Sequence, residues 1–442
     1  MEQVPEDFLL EPDDRILILS PHPDDDILAA GGLIQQALAA GVPVHIVYLT
    51  YGDANQWSFA LYRHEPPVRS GSVEAMGEVR CHEARAAEAV LGLDSDHLTF
   101  LGYPDHDTLY IWYNHWGDAP PVHGLFTRAS AVPYADAYRP GAPYRGQEIL
   151  RDLKELIGKI HPTKIVVSHP ADHNPDHRSL YLFARVALWD LREERASGLY
   201  PFLIHYPHWP GGRAAPGFLT PDLPLEPPLE LVASSRWLSR PLTEALIQRK
   251  LEALQKHRSQ YRANPHLLNR FIRTNELFGD FPAIRLAPGE KADLLPPQVP
   301  QMPPSHLREE FTRLERELFV EIRKLKIGRE DGEIRLEVET SHPLRGGTTL
   351  SLYVFGYRPD LPFPQMPKLC VQLEADGRFL LLDQGRMLPE GTRPVAGEPG
   401  VTVVGLPLDL LANPDRLLIS ARVTYARLPL DSAPWRVVWV EG

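Results

Sequence analysis

The sequence predicts a two-part protein: an α/β region on a Rossmann-like, mostly parallel sheet with helices on both faces, followed by a smaller antiparallel β-sandwich. Three observations predict it. Short apolar runs alternate with stretches of helical periodicity as far as about residue 285, the pattern of βαβ units. A proline-rich stretch then breaks every regular pattern. Beyond it, strand-like runs follow one another with only turn residues between them, which is the pattern of a sandwich.

Taken in order, RILILS from Arg15 reads as a strand ending in a Pro-containing turn, and Asp26 to Ala40 has apolar residues at helical spacing. Residues 42–50 (VPVHIVYLT) form a second strand, Gly77 to Leu91 a helix and Leu98 to Leu101 a third strand. Gln147 to Ile160 is an amphipathic helix, KIVVS (164–168) a fourth, buried strand, and another helix follows it. A strand near Phe202 to Tyr206 and two helices between Thr243 and Leu277 complete the layer. From Pro282 to Pro304 there are seven prolines in 23 residues, which suits a stiff connector rather than helix or central strand. The expected division is therefore residues 1–285, a linker at 286–306, and a sandwich at 307–442. IRLEVETS, TTLSLYVFGY, RFLLLDQG, GVTVVGLPL, RLLISARVTY and WRVVWVEG supply the sandwich strands, and residues 311–326 fit helix or strand, with strand favoured after Leu318.

Composition narrows the function classes. With 442 residues, 43% hydrophobic and 24% charged, the chain can bury a sizeable core. Its 46 basic residues against 58 acidic ones give a net charge of −12, which argues against a nucleic-acid or anionic-lipid partner and for neutral or cationic small molecules. Cys81 and Cys370 form neither a ligand cluster nor a disulfide framework, so a reducing, cytoplasmic compartment is expected. The acidic first residues lack the basic-then-apolar order of a secretion signal, and no run approaches 18 apolar residues, so no membrane span is expected.

Two clusters carry the chemistry. At the carboxyl end of the first strand lies Pro21-His22-Pro23-Asp24-Asp25-Asp26, and at the carboxyl end of KIVVS lies His169-Pro170-Ala171-Asp172-His173-Asn174-Pro175-Asp176-His177. Open α/β sheets place their ligands at that edge, so the two clusters are expected to converge. Histidine with carboxylate suits zinc, and a catalytic zinc site keeps three protein ligands and one open position. Adjacent aspartates allow one ligand and one base.

The pair HPDDD and DHNPDH resembles the PIG-L/LmbE-like metal-dependent de-N-acetylases. The resemblance extends to Thr50-Tyr51-Gly52-Asp53, to Arg80-Cys81-His82-Glu83 and to Phe100-Leu101-Gly102-Tyr103-Pro104-Asp105, covering about residues 15–180. It implies metal ligation by His22, Asp25 and His177, with Asp24 as general base. The implied cofactor is Zn2+, with another divalent metal such as Fe2+ as the alternative. The implied reaction is hydrolysis of an N-acetyl group on an amino sugar or sugar conjugate. Arg80 is expected to contact substrate, and an exposed ion pair with Glu83 is its alternative. The family's auxiliary histidine, three residues before the last ligand, is replaced by Asn174, with His173 one position earlier. His173 is set down for oxyanion stabilisation and Asn174 for a substrate contact, although the spacing leaves the role divided between them. Asp53 is expected beside the substrate. Tyr110, Trp112, Tyr113, His115 and Trp116 are read as an aromatic lid, with Trp112 against a sugar ring, or else as a satellite hydrophobic cluster. His205, Tyr206, His208 and Trp209 are expected to border the same crevice. Two rivals remain: a hydrolase of another amide, such as an acylated amine, a thiol conjugate or an antibiotic, and a non-catalytic carbohydrate-binding protein. The sandwich is read as binding carbohydrate, or else as a structural appendage or a homo-oligomer contact.

Overall fold

A computed structural model of the chain describes residues 5–55, 70–194, 196–211, 219–295, 319–389, 394–396, 400–426 and 428–441. It divides into two compact units, Met1–Pro228 with Ser235–Asp280, and Leu229–Ser234 with Phe281–Gly442. Among the described residues no helix is long and apolar enough to cross a membrane.

The first unit is built on β1 (Ile16–Ser20), α1 (Asp25–Ala39), β2 (Val44–Thr50), α2 (Ser70–Leu91), β3 (Leu98–Tyr103), α3 (Thr108–Asn114), α4 (Gly146–Ile160), β4 (Lys164–Ser168), α5 (Pro175–Leu191) and β5 (Gly198–Phe202). The five strands pair in the order β3-β2-β1-β4-β5, all parallel. β1 is buried along its whole length, as an apolar run without alternation requires of a central parallel strand. The helices pack as two groups, α1 with α2 and α3 with α4 through α5. In α4, Ile149, Leu150, Leu153, Leu156 and Ile157 recur at helical spacing and are buried, so the stripe read from sequence is the face that packs on α5. Each such side chain contributes about 1.5–3 kcal/mol by leaving water. The chain leaves β1 outward through β2 and β3 and then crosses to β4 on its other side. The strand order thus reverses between β1 and β4, and a crevice opens there beyond the carboxyl ends.

A second sheet of three strands, not evident in the sequence, joins Glu6–Asp7, β6 (Arg236–Pro241) and β7 (Asn275–Asp280). It is tied to α1 by an ion pair inserted into the helix. Lys250, on α6 (Glu244–Leu254), donates to the Leu28 carbonyl at 2.9 Å and to Glu276 at 2.7 Å. Glu276 in turn accepts from the Gly32 and Leu33 amides at 2.7 and 2.9 Å. The paired glycines of α1 make room for this: a Cβ on Gly32 would lie 2.2 Å from Leu242, and one on Gly31 3.1 Å from Lys250.

The second unit is made of two sheets that are antiparallel except where Ile284–Leu286 runs parallel to Arg436–Val440. One pairs Lys291–Asp293, Ile322–Glu330, Glu333–Thr340, Val401–Pro407 and Pro394–Ala396; the other is centred on Thr348–Tyr357 between Lys368–Glu374 and Arg416–Tyr425. Alternate residues such as Leu336, Val338, Leu350, Leu352, Ile419 and Val423 form one buried core, as sandwich strands require. The expected linker differs from what is found. Ile284–Leu286 pairs with Arg436–Val440, Lys291–Asp293 pairs with Ile322–Glu330, and Leu286 and Leu294 lie in the core. The boundary between units therefore falls at Asp280/Phe281, ahead of residue 285. Pro282 and Pro288 flank these short strands instead of interrupting them, a position proline tolerates. Residues 296–318, which hold the rest of the proline-rich stretch, lie outside the described residues.

Candidate metal centre at the switch point of the sheet

Both sequence clusters end at the crevice between β1 and β4. The first continues β1 into α1 through Asp24, whose backbone sits at φ 132°, a left-handed value rare outside glycine. The second continues β4 into α5, where Pro175 occupies the first turn and the Asn174 side chain caps the helix by accepting from the Asp176 amide at 2.8 Å.

His22, Asp25 and His177 are brought together. His22 Nδ1 lies 3.0 Å from Asp25 Oδ2, which lies 3.0 Å from His177 Nε2. One donor atom from each lies within 4.8 Å of the others, and all three residues are buried. Both ring nitrogens of His177 are sealed from solvent, and each faces a carboxylate oxygen, Asp25 Oδ2 at 3.0 Å and Asp172 Oδ2 at 3.1 Å. Two imidazole nitrogens and a carboxylate oxygen converging on one point fit a divalent cation of the zinc type.

The far side of each imidazole faces carboxylate. His22 Nε2 lies 3.2 Å from both Asp105 Oδ1 and Asp176 Oδ2, and His177 Nδ1 lies 3.1 Å from Asp172 Oδ2. His22, Asp105 and Asp176 could by composition form a second ligand set. Asp176, however, is already engaged: it accepts from the His106 amide at 2.7 Å and from both the amide and hydroxyl of Thr108. This set is better described as the carboxylate support that orients a liganding histidine. Despite burial, which favours neutral rings, Asp105, Asp176 and Asp25 hold His22 well above its ordinary pKa. In the same way Asp172 and Asp25 push His177 up to about 9. Burial raises Asp25, but His177 and His22 outweigh it and hold the carboxyl well below the usual range.

Asp24 lines the same cavity, of about 800 Å³, with His22, Asp25 and Asp105. Burial pushes its carboxyl up to about 7, against the pull of Arg80. Arg80 also lines the cavity, but its guanidinium is committed to the protein. It donates to the Gly52 and Pro23 carbonyls at 2.7 Å each and to Asp24 Oδ1 at 3.1 Å. The exposed Arg80–Glu83 pair is not found: Arg80 is 3% exposed, and Glu83 accepts from the amide and hydroxyl of Ser259 at 2.9 and 2.6 Å.

The remaining expectations divide. Asn174 lines the cavity, whereas His173 does not; it is exposed and packs against Tyr206, ring centroids 5.7 Å apart. Asp53 is buried off the cavity lining, where its carboxylate accepts from the Tyr134 hydroxyl. Trp112 is fully buried against Phe183 and Trp116, at 5.0 and 5.4 Å, so Trp112 and Trp116 are core between α3 and α5, whereas Tyr110 is exposed, and none of the five aromatic residues lines the cavity. Of the second aromatic group, His205 lines the cavity, with its ring 4.8 Å from that of His177. Residues not singled out in the sequence include His106, Gln260 and the apolar side chains Leu125, Phe126, Leu267 and Leu268 on the cavity wall. They come from turns and short helical pieces with no periodic signal.

Residues 17–188 match the PIG-L family, described as GlcNAc-PI de-N-acetylase. Two curated relatives are named 1D-myo-inositol 2-acetamido-2-deoxy-alpha-D-glucopyranoside deacetylase. The one from Mycobacterium sp. (strain KMS) is 34% identical over 92 residues, 21% of this chain and 28% of the relative. The one from Actinosynnema mirum is 31% identical over 166 residues, 37% of this chain and 50% of the relative. The chain thus spans half or less of the length of these two relatives. Among solved structures, the N,N'-diacetylchitobiose deacetylase from Pyrococcus horikoshii aligns over 56% of this chain and 70% of its own, at 18% identity and a TM-score of 0.34. A likeness that low does not bear on function. The matched strands, the two clusters and the buried His/Asp centre between them all fall within the same span: residues 17–188 form a PIG-L family domain.

Proposed function

We propose that the first unit is a zinc-dependent amide hydrolase that removes the N-acetyl group from an amino sugar or sugar conjugate. The observation that carries this reading is the convergence of His22 Nδ1, Asp25 Oδ2 and His177 Nε2 beside the cavity-lining carboxyl of Asp24. Zinc held by those three residues supplies Lewis acidity to the amide carbonyl and makes water more acidic. Asp24 accepts the proton of the attacking water and returns it to the leaving amine as the C–N bond breaks, giving acetate and a free amine. Arg80 occupies Oδ1 of Asp24, which fixes the carboxylate and leaves its other oxygen for proton transfer. Asn174 at the cavity wall is assigned a substrate contact. The names of the curated relatives support an N-acetylated sugar conjugate as the substrate class.

Acetate release across a panel of N-acetylated amino sugars and their conjugates tests the proposal. The zinc-loaded protein should release acetate from at least one member. Asp24→Asn should keep its zinc and lose about 10²–10⁴-fold in turnover. Zinc retention with unchanged turnover in that variant would refute the assignment, and hydrolysis without acetate would favour another acyl group.

A further inference from the structure

We propose that His205 is a catalytic residue of this site, donating a ring N–H to the acyl oxygen as negative charge develops there, and that Asp172 is the residue that holds it in place. The proposal rests on the deacetylase reading and supplies the imidazole that neither Asn174 nor His173 provides.

The geometry that points to it is a single carboxylate serving two histidines. Asp172 is fully buried. Its Oδ2 lies 3.1 Å from His177 Nδ1 and accepts from the backbone amides of Ile204 and His205 at 3.0 and 2.9 Å, while its Oδ1 accepts from the Asn174 amide at 2.9 Å. The segment that follows β5 is thereby pinned to the start of α5, which carries His177. The His205 carbonyl closes the link by accepting from the His173 amide at 2.8 Å. The outcome is a second imidazole on the cavity wall, half-buried and edge-on to the His177 ring, with centroids 4.8 Å apart. An acyl oxygen drawn to the His22–Asp25–His177 centre comes within reach of that ring. Imidazole carries at least one N–H donor whether neutral or charged, and a fixed donor aimed at a developing oxyanion acts without reorganisation.

The other candidates are placed worse. His173 lies outside the cavity lining and packs on Tyr206. His106 lines the cavity, but its side chain is 47% exposed, its ring is 6.5 Å from that of His22, and its Nε2 is 4.0 Å from Asp105.

The test uses the zinc-loaded full chain and the variants His205→Ala, His205→Gln and His173→Ala. It has three readouts: steady-state acetate release, zinc per chain, and calorimetric affinity for a tetrahedral methylphosphonamidate analogue of an N-acetylated amino sugar. In His205→Ala, kcat should fall about 100-fold or more, with KM little changed, zinc at one per chain, and analogue affinity reduced by a similar factor. His205→Gln, which keeps a donor, should recover part of both losses. Unchanged kcat and analogue affinity in His205→Ala overturns the proposal, as does a loss carried by His173→Ala instead. Loss of zinc in His205→Ala also overturns it, because the residue would then belong to the metal centre. If the wild-type protein binds the analogue but releases no acetate, the acetyl reading fails, while the analogue titration of the variants still decides the role of His205.

Discussion

Asp172 shows how much of the candidate site depends on side chains that would touch neither metal nor substrate. It has no exposure, and its two oxygens face four partners on two segments of chain. Orienting partners of this kind typically account for 10–100-fold in metal affinity. Asp172→Asn, which keeps the shape and removes the charge, should therefore weaken zinc binding by about 10–100-fold, measured by competition with a chromogenic chelator. Affinity equal to wild type would mean that His177 is held by packing alone. At this scale the sequence was legible where chemistry is local. His22 and Asp25 lie three positions apart, and Asn174-Pro175-Asp176-His177 forms one helix start, so spacing alone marks them. It was not legible where the partner is distant: Arg80 reads as an exposed helix residue until Gly52 and Pro23, 28 and 57 positions away, are seen to accept from it. Trp112 reads as a lid residue for the same reason, since its neighbour Phe183 lies on α5.

Among the elements, the turn after β2 bears on Asp24, the proposed base. Gly52 has φ +63°, and a Cβ there would lie 2.2 Å from Arg80 Nη1. Gly52→Ala must therefore strain the turn and move the guanidinium that holds Asp24. We expect a stability loss of about 1–3 kcal/mol and a fall in acetate release matching that of Arg80→Met, with zinc still bound. Thermal unfolding, zinc content and turnover check this together, and full turnover would show that Arg80 does not position Asp24. Strand and helix positions in the central sheet were evident from apolar runs and periodicity, because both neighbours of each inner strand are other apolar strands. The β6–β7 sheet was missed because Arg236–Pro241 is partly exposed, polar and ended by proline. Ile284–Leu286 and Lys291–Asp293 were missed because three-residue strands lie below the length at which alternation can be read.

Both units of the molecule bury charge. In the first, it includes the candidate metal centre and the Lys250–Glu276 pair. In the second, Lys368 is 1% exposed, with Nζ donating to the Phe363 and Met366 carbonyls at 2.6 and 2.8 Å and lying 4.2 Å from the Phe363 ring centroid. Burial lowers its pKa to about 7, against the pull of Asp383. The sign follows from linkage. Between about 7 and the unfolded value near 10.4 the unfolded chain binds a proton that the folded chain does not. The second unit should therefore gain stability as pH rises through that window, by roughly 4–5 kcal/mol at most. Below about pH 7 both states are protonated, so the full penalty applies and is constant. Denaturant unfolding of the full chain at pH 7 and pH 10, compared with Lys368→Met, should show the gain in wild type and a smaller one in the variant. Equal slopes would mean that the two carbonyls and the ring already satisfy the ammonium.

Anomalous diffraction at the zinc edge from zinc-loaded crystals of the full chain tests the central claim most directly. A single strong peak should lie between β1 and β4, with His22 Nδ1, one Asp25 oxygen and His177 Nε2 each about 2.0–2.2 Å away, and it should be absent in His177→Ala. A peak elsewhere, or one that survives His177→Ala unchanged, would contradict the account.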